Sequence, residues 1–426
     1  MIIFKGVVLL FGMPGNSGEV IIDDANISDS NTQRVILHCD LNNFYASVEC
    51  LHHPELNGLP VAVGGSEKNR HGIILAKNQL AKSFGVKTAE PIWQAKSKCP
   101  NLVIVPPHMD EYVRYSCLVR NIYERFTDCI EPFGIDECWL DITGSTMLLG
   151  SGEKIADTIR KTIREELGLS VSVGVSWNKI FAKLGSDMKK PDATTVITKD
   201  NYRNSVWTLP VEDLLFVGRK TSGSLKKIGI TTIGRLAQSD KNFLTKRFGK
   251  WGTTVWAYAN GFDLSPVEKD WAEIKAKGIG NSTTLPHDIY TYSEAKKVLF
   301  NLADSVSTRL REGKLKGRTI CIFLRTNDLE SFDRQMSIEN LTNISTEISR
   351  YAMLLLEKNW HPGKDKPLRA LGIRVTGLED ECTPVQMSLF DNSSNSEKNE
   401  KLEKTMDNIR KKYGDDSVTR ALLMDE

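Results

Sequence analysis

Three acidic residues interrupt apolar segments of this sequence. Asp40 follows the apolar run 34–39, and the adjacent Asp136 and Glu137 lie near the start of the apolar stretch 131–143. A carboxylate in such a setting is costly unless a cation compensates its charge. Carboxylates are hard oxygen ligands suited to Mg²⁺, and two ions about 3.5 to 4 Å apart can stabilise the attacking and leaving oxygens of a phosphoryl transfer. The pattern favours a two-metal site for Mg²⁺, with Mn²⁺ as a possible substitute, although most acidic dipeptides are simply solvated.

The segments around these acids predict an α+β fold. The run 34–39 has the composition of a buried strand that delivers Asp40 at its end, and 170–176 alternates strictly between apolar and polar residues. Asp136 and Glu137 then lie either at the start of a strand or at a hairpin bend. Strands are predicted at 34–39, 131–143 and 170–176, and helices at 112–126 and 152–167.

Residues 211–238 predict a helix-hairpin-helix. Gly218 opens a short helix, and Lys226, Lys227 and Gly229 close it before a second helix begins. Such a turn directs backbone N–H groups at a DNA phosphate, and the two lysines add positive charge. We therefore assign these four residues to DNA binding, with an ordinary helical pair as the alternative.

A further α+β module follows a linker. It is predicted to contain helices at 292–311 and 345–358 and strands at 318–325 and 368–376. Residues 275–378 hold 17 Lys and Arg against 11 Asp and Glu, a net charge of +6, whereas 379–426 hold 7 against 12, a net charge of −5. The basic module fits a phosphate-binding surface. The polar tail after Asp391 is expected to be disordered at first and helical at 400–413.

Length and composition narrow the class of protein. A chain of 426 residues suggests about three domains, and 40% hydrophobic with 26% charged residues is typical of globular proteins. No apolar run approaches the roughly 20 residues of a membrane helix, and the apolar stretch 7–13 lacks the flanks of a signal peptide. The eight cysteines form no C-x-x-C pair, which indicates a cytoplasmic protein without zinc or disulfides.

Three segments resemble the signature motifs of Y-family DNA polymerases, which perform lesion bypass. They are HCDLNNFYASVE at 38–49, GIDECWLD at 134–141 and VGVSWNKIFAKLGSDMKKP at 173–191. The likeness extends over residues 34–391 and is closest to the DNA polymerase IV branch. It implies a template-directed DNA polymerase that uses primer-template DNA and deoxynucleoside triphosphates, and we expect a monomer.

The resemblance also implies a right-hand architecture with a palm, small fingers, a helical thumb and a C-terminal little finger. The expected boundaries are an N-terminal extension at 1–33, the palm at 34–43 and 108–200, the fingers at 44–107, the thumb at 201–263, a linker at 264–276, the little finger at 277–378 and a tail at 379–426.

Roles for the acids follow from the same resemblance. Asp40 and Asp136 would bridge both metal ions, and Glu137 would hold the ion that activates the primer 3′-hydroxyl. The backbone carbonyl of Leu41 would be a further ligand. These residues would form the catalytic centre.

The resemblance assigns the nucleotide site to other side chains. Tyr45 matches a steric gate beneath the deoxyribose, and Phe44, Lys82 and Lys190 would contact the incoming nucleotide. The chain departs from the family pattern in the fingers, where Gln79 replaces a tyrosine and Lys82 an arginine, which loses a bidentate fork. Gly134 also replaces the usual serine before Ile-Asp-Glu. These changes put nucleotide affinity in doubt.

The pentapeptide QMSLF at 386–390 resembles the peptide by which bacterial polymerases bind the sliding clamp. Gln386, Leu389 and Phe390 would be its anchors, within a clamp-binding segment at 386–391.

Two alternatives remain open at this point. One is a clamp-tethered DNA-binding protein with weak or lost polymerase activity, motivated by Gln79 and Lys82. The other is a nucleotidyl cyclase, because such palms use similar strands and acids, although a cyclase has no use for a helix-hairpin-helix or a clamp peptide.

Overall fold

The computed structural model describes residues 2–4, 7–9, 34–66, 72–269, 276–383, 393–414 and 417–420. They belong to two compact units. The first unit comprises Gly12–Gly64 and Ile74–Ile274, and the second comprises Met1–Phe11, Gly65–Ile73 and Lys275–Glu426.

Helices and strands alternate along the described residues. The strands are β1 (Ile2–Phe4), β2 (Val7–Leu9), β3 (Ile36–Leu41), β4 (Val61–Gly64), β5 (Ile74–Lys77), β6 (Val103–Val105), β7 (Ile130–Pro132), β8 (Glu137–Asp141), β9 (Val171–Ser176), β10 (Thr194–Val196), β11 (Gly278–Ile289), β12 (Leu315–Thr326), β13 (Ser331–Thr342) and β14 (Leu368–Asp380). The helices are α1 (Phe44–His52), α2 (Gln79–Ser83), α3 (Ile92–Lys98), α4 (Met109–Tyr123), α5 (Thr146–Leu149), α6 (Gly152–Leu167), α7 (Lys179–Met188), α8 (Tyr202–Ser205), α9 (Arg219–Lys226), α10 (Ile233–Ala237), α11 (Lys241–Phe248), α12 (Lys250–Ala259), α13 (Tyr292–Glu312), α14 (Ser345–Asn359) and α15 (Ser393–Tyr413).

The first unit is built around a five-stranded sheet in the order β10-β9-β3-β8-β7. β3 is central and buried along its whole length, with antiparallel neighbours on both sides. The stretch 131–143 forms two strands, β7 and β8, which are joined by a bend. The hairpin-bend alternative is therefore correct for Asp136, whereas Glu137 is the first residue of β8.

Helix α7 lies directly on this sheet because β9 has a glycine where the helix crosses it. A Cβ added to Gly174 would stand 1.9 Å from the carbonyl oxygen of Ala182 and 2.5 Å from the backbone nitrogen of Ser186. Both obstacles are backbone atoms, which cannot move aside as a flexible side chain can. The close approach fixes the height of α7, and with it that of Lys183, above the sheet.

Gly174→Ala should lower the free energy of unfolding by about 3 kcal/mol or more, because a methyl group must push α7 off the sheet. Urea unfolding followed by circular dichroism measures this loss. Gly144→Ala is the matched control, since a Cβ there meets no atom within 4 Å. Equal stability of the two variants would contradict the close-packing account.

Two smaller assemblies complete the first unit. The sheet β5-β4-β6 carries α2 and α3, as the small fingers require. Helices α9 to α12 pack around a core that includes Leu225, Ile233, Leu244 and Val255, as a helical thumb requires. Both fit the predicted right-hand architecture.

The start of the predicted linker is bound to the first unit. Arg34 Nη2 donates to the carbonyl oxygen of Ser265 at 2.9 Å, and Lys179 Nζ donates to that of Pro266 at 3.3 Å. The backbone nitrogen of Glu268 donates to Glu131 Oε2 at 2.8 Å. Residues 270–275 lie outside the described ranges.

The second unit contains a four-stranded antiparallel sheet in the order β11-β14-β12-β13. α13 and α14 share one hydrophobic core with it, which includes Leu299, Val306, Ile322, Leu356 and Leu371. The helices predicted at 292–311 and 345–358 end within one residue of α13 and α14. β11 and β13 were not predicted, because their residues are polar or exposed at many positions.

The C-terminal tail is more ordered than its composition predicts. The helix expected at 400–413 is α15, which already begins at Ser393, so the expectation of disorder from that residue onward is wrong. The acids of α15 form ion pairs with α13 and β12, and these contacts stabilise a helix whose sequence alone is highly polar.

The N-terminal extension contains a short antiparallel pair, in which Ile2 faces Leu9. The sequence predicted only weak structure there, and residues 10–33 lie outside the described ranges. Among the described residues, no helix is long and apolar enough to cross a membrane.

Candidate active site

The three predicted acids converge at one end of the central strands. Asp40 faces Glu137 directly across the β3–β8 pair and is 5% exposed. The backbone nitrogen of Leu41 donates to the carbonyl oxygen of Asp136 at 3.0 Å, which ties the bend to β3. Residues nearly 100 positions apart in sequence therefore form one carboxylate cluster.

Two lysines neutralise part of this cluster. Lys183 Nζ lies 3.1 Å from Asp40 Oδ2 and 2.9 Å from Glu137 Oε2. Lys190 Nζ lies 2.7 Å from the same Asp40 oxygen. Asp187 contacts both lysines, at 3.2 and 3.0 Å. The predicted nucleotide-binding Lys190 thus stands at the acids.

A buried histidine contacts the carboxylate cluster. His38 is fully buried, with Nε2 3.3 Å from Glu137 Oε2 and Nδ1 2.8 Å from Ser186 Oγ. Burial lowers the pKa of His38, so the neutral ring is favoured. The ring thus lies between Glu137 and Ser186 of α7.

The two acids of the bend titrate in opposite directions. Burial and the neighbouring charges of Glu137 and Asp40 raise the pKa of Asp136 to about 7. Burial also acts to raise the pKa of Glu137, but the His38 ring and the Lys183 ammonium outweigh it and hold that pKa at about 2. Asp136 is therefore the acid whose charge still needs a cation.

The residues of the cluster fit a divalent metal site in their ligand chemistry and in their charge. The cluster offers hard carboxylate oxygens, and its excess negative charge raises the pKa of Asp136. Within the described ranges, no three His, Cys, Asp or Glu side chains are yet arranged as a metal-binding group. The Lys183 and Lys190 ammonium groups both lie against Asp40 Oδ2 in this arrangement.

The ring of Tyr45 packs in a stacked arrangement near the acids. Its ring stacks on Tyr112 with centroids 4.2 Å apart and planes 9° from parallel. The Tyr112 hydroxyl donates to the buried Glu49, which also lies 3.0 Å from His108 Nδ1. Burial and the Asp136 carboxylate raise the pKa of Tyr45, consistent with a ring close to the metal-site acids.

The remaining predicted nucleotide contacts differ in their surroundings. Phe44 is 3% exposed and packs against Tyr112 with centroids 6.3 Å apart, so its ring belongs to the core. Lys82 is exposed at the end of α2, on the same short helix as Gln79. None of the contacts described for Lys82 reaches the carboxylate cluster.

The helix-hairpin-helix forms as predicted. Gly218 caps α9 in an extended conformation, and Gly229 has a φ of 82°, which favours glycine. Lys227 is exposed, whereas Lys226 Nζ forms an ion pair with Glu212 at 2.5 Å. The structure adds Arg235, whose Nη1 donates to the carbonyl oxygen of Gly229 at 2.9 Å and closes the turn.

The sequence analysis missed His38, Lys183 and Asp187 as members of the site. Lys183 and Asp187 are one helical turn apart on α7, a spacing that could have indicated a shared face. Gln386, Leu389 and Phe390 lie outside the described residues.

Comparisons with known proteins agree with this site. The impB/mucB/samB family matches residues 39–187, and the C-terminal domain of the same family matches residues 276–389. A protein named DNA polymerase IV from Acetivibrio thermocellus is 50% identical over 92% of this chain and 98% of its own length. DNA polymerase IV 1 of Bacillus subtilis is 37% identical over 89% of this chain and 91% of its own length.

A solved structure shows the same fold. A Y-family DNA polymerase chimera superimposes with a TM-score of 0.72, covering 80% of this chain and 98% of the chimera at 23% sequence identity. This confirms the α+β polymerase fold predicted from the sequence.

Proposed function

Because the chain belongs to the impB/mucB/samB family of Y-family DNA polymerases, in the DNA polymerase IV branch, we propose that it is a template-directed DNA polymerase of the lesion-bypass type. It adds deoxynucleotides to a primer 3′ end. The observation that carries this proposal is the convergence of Asp40, Asp136 and Glu137 beside Tyr45 and Lys190. The nucleotidyl cyclase alternative has no support from the matched relatives.

The carboxylate cluster is proposed as the metal site of this enzyme. Asp40, Asp136, Glu137 and the carbonyl of Leu41 would hold two Mg²⁺ ions, or Mn²⁺ in their place. Cations bound there would neutralise the charge that develops on the attacking 3′ oxygen and on the leaving pyrophosphate.

The chain's own cations act on the same charges. Lys190 has an ammonium group at the edge of the cluster, 26% exposed, where it can move from Asp40 to a phosphate oxygen. Lys183 is 13% exposed and bridges Asp40 and Glu137, so it keeps these acids in place. Lys183 is therefore a positioning residue, and Lys190 is the proposed triphosphate contact.

The thumb would bind the phosphate backbone of the DNA. Gly218 and Gly229 leave open space around the hairpin, since a Cβ added at either meets no atom within 4 Å. A phosphate can therefore approach the start of α9 at Gly218, whereas at the hairpin the Gly229 N–H already donates to the carbonyl oxygen of Lys226 at 3.0 Å and the exposed Lys227 supplies the positive charge. Lys226 would reach a phosphate only by leaving Glu212.

Primer extension tests the proposal. Purified protein, a defined primer-template, Mg²⁺ and four deoxynucleotides should give template-dependent extension, on plain template and opposite a lesion. DNA binding without extension would instead support the alternative of a clamp-tethered binding protein with lost activity, which Gln79 and Lys82 motivate.

We also propose that Gln386, Leu389 and Phe390 bind the bacterial sliding clamp. Leu389→Ala with Phe390→Ala should remove clamp stimulation of synthesis, because large apolar side chains are the natural anchors of such a peptide. Extension without clamp should stay unchanged. Titration of labelled clamp with both proteins measures the effect, and Ser388→Ala is the control within the same peptide. Equal clamp affinity of the double variant and the parent would exclude this tether.

These partners, DNA, deoxynucleotides and the clamp, are consistent with a monomer that acts in the cytoplasm.

A further inference from the structure

Helix α15 docks on the second unit through its acidic residues. Glu403 is 2% exposed and forms an ion pair with the buried Arg311. Asp407 Oδ2 lies 2.6 Å from Arg311 Nε, and Glu400 Oε2 lies 2.9 Å from Lys316 Nζ. Three of the twelve acids of 379–426 are thus neutralised against α13 and β12.

Further contacts fix the orientation of α15 about its axis. Glu403 accepts hydrogen bonds from the backbone nitrogen and hydroxyl of Ser345 at the start of α14, the latter at 2.6 Å. Arg410 Nη1 lies 2.7 Å from Asp304 Oδ2 of α13. Glu403, Met406, Asp407 and Arg410 therefore define the inner face of the helix.

The opposite face of α15 is basic. At 100° per residue, a row of five exposed residues is centred about 180° from the inner face. This outer row consists of Lys398, Lys401, Thr405, Asn408 and Lys412.

The outer row contains no acidic residue. Among the described residues, Lys398, Lys401 and Lys412 form no ion pair, whereas Lys404 beside the row is paired with Glu381 and, at 3.0 Å, with Glu400. The net charge of −5 counted over 379–426 therefore does not describe the outer row, which carries three lysines and no acid.

We propose that the outer row of α15 binds the phosphate backbone of DNA. Its lysines span 14 residues, or about 21 Å along the helix axis. A DNA strand presents a phosphate about every 3.4 Å, so three ammonium groups can each meet one. Asn408 lies between Lys401 and Lys412 and can donate hydrogen bonds to phosphate oxygens. The site is additional to the carboxylate cluster and does not depend on polymerase activity.

DNA fits this face better than a membrane surface does. A helix that lies on a membrane needs a broad apolar face to bury among the lipids. On α15, Met406 is buried against the second unit, and Leu402, 53% exposed, is the one large aliphatic side chain exposed among its described residues. The outer row itself contains only polar and cationic side chains.

The salt dependence of DNA binding tests the proposal. Lys398→Gln, Lys401→Gln and Lys412→Gln are combined in the full chain, and fluorescence anisotropy measures the affinity for a primer-template of about 40 base pairs across a NaCl series without nucleotide or metal. We expect the negative slope of log K against log salt to become shallower by about 2.7, from about 0.9 for each of the three lost phosphate contacts.

Matched variants separate charge from structure. Lys404→Gln removes an already paired lysine of the same helix and should leave the slope unchanged. The corresponding triple Lys→Arg variant keeps the three charges and should retain the parent slope. An unchanged slope in the triple glutamine variant, at an unchanged melting temperature, would overturn the proposal.

Lysine acetylation read by mass spectrometry gives an independent measurement. DNA should protect Lys398, Lys401 and Lys412 relative to the free protein. Equal labelling with and without DNA would overturn the proposal even if primer extension is normal. Loss of binding to anionic vesicles in the triple variant, with an unchanged DNA slope, would instead assign the row to a membrane.

Discussion

Asp136→Asn is expected to abolish primer extension and, at the same time, to stabilise the metal-free protein at pH 8. Activity should decrease by at least about 1,000-fold, because a ligand proposed to bridge both cations is lost. Stability should rise by on the order of 2 kcal/mol, because the buried like charges beside Glu137 and Asp40 are relieved. Primer extension and calorimetry in a chelator measure the two effects.

The sign of the stability change follows from the pKa of Asp136. Its pKa is 3.8 in an ordinary setting and about 7 in the folded protein, so the folded state binds more protons between these values. Stability therefore decreases as pH rises from about 4 to 7, and the decrease should be absent in Asp136→Asn. A pH profile of the melting temperature that is identical in both proteins would contradict the assignment.

Glu137→Gln is the matched comparison. It should also abolish extension, but it should destabilise the protein at pH 8. The folded pKa of Glu137 is held at about 2, so its charge contributes stability at every pH above its ordinary pKa of 4.5, and that contribution is lost only as pH falls through the folded value. A general folding defect would lower the stability of both variants. It therefore could not explain an equal loss of activity combined with opposite changes in stability.

Tyr45→Ala should weaken the discrimination between deoxyribonucleotides and ribonucleotides by about 5- to 150-fold. The ring is stacked on Tyr112, which is itself fixed by Glu49, so it cannot move aside for a 2′-hydroxyl. Measurement of kcat/KM for matched nucleotides gives the ratio.

Two controls separate a steric gate from a core residue. Tyr45→Phe keeps the ring and should keep the discrimination. If Tyr45 only supports the core, Tyr45→Ala should lower stability and reduce kcat/KM equally for both sugars. An unchanged ratio in a folded Tyr45→Ala protein would remove Tyr45 from the nucleotide site.

The sequence predicted the strands of the site better than its electrostatics. β3 is fully buried, so its apolar run was recognisable, and Asp40 stood out at its end. Lys183 and His38 were not recognisable as partners of the acids, because their contacts arise only when α7 packs on β9 and β3. That packing depends on Gly174, whose role is visible only in three dimensions.

Charge pairing in the helix-hairpin-helix and in the second unit shows the same limit. Lys226 and Lys227 are equivalent in sequence, yet only Lys226 is paired with Glu212. α15 was underestimated because its stability comes from ion pairs with Arg311 and Lys316 and not from an apolar face. Composition counts charges but does not show which of them are paired.

The buried ion pair of Glu403 determines where the chain can be shortened without loss of stability. A truncation placed after residue 391 would look harmless from sequence, because it removes only a polar tail. It would leave the buried guanidinium of Arg311 without its carboxylate partners and the backbone nitrogen of Ser345 without its acceptor, and an unpaired buried charge typically costs about 3 to 5 kcal/mol. A stable recombinant fragment should therefore retain residues through Arg420, which also contacts Glu403.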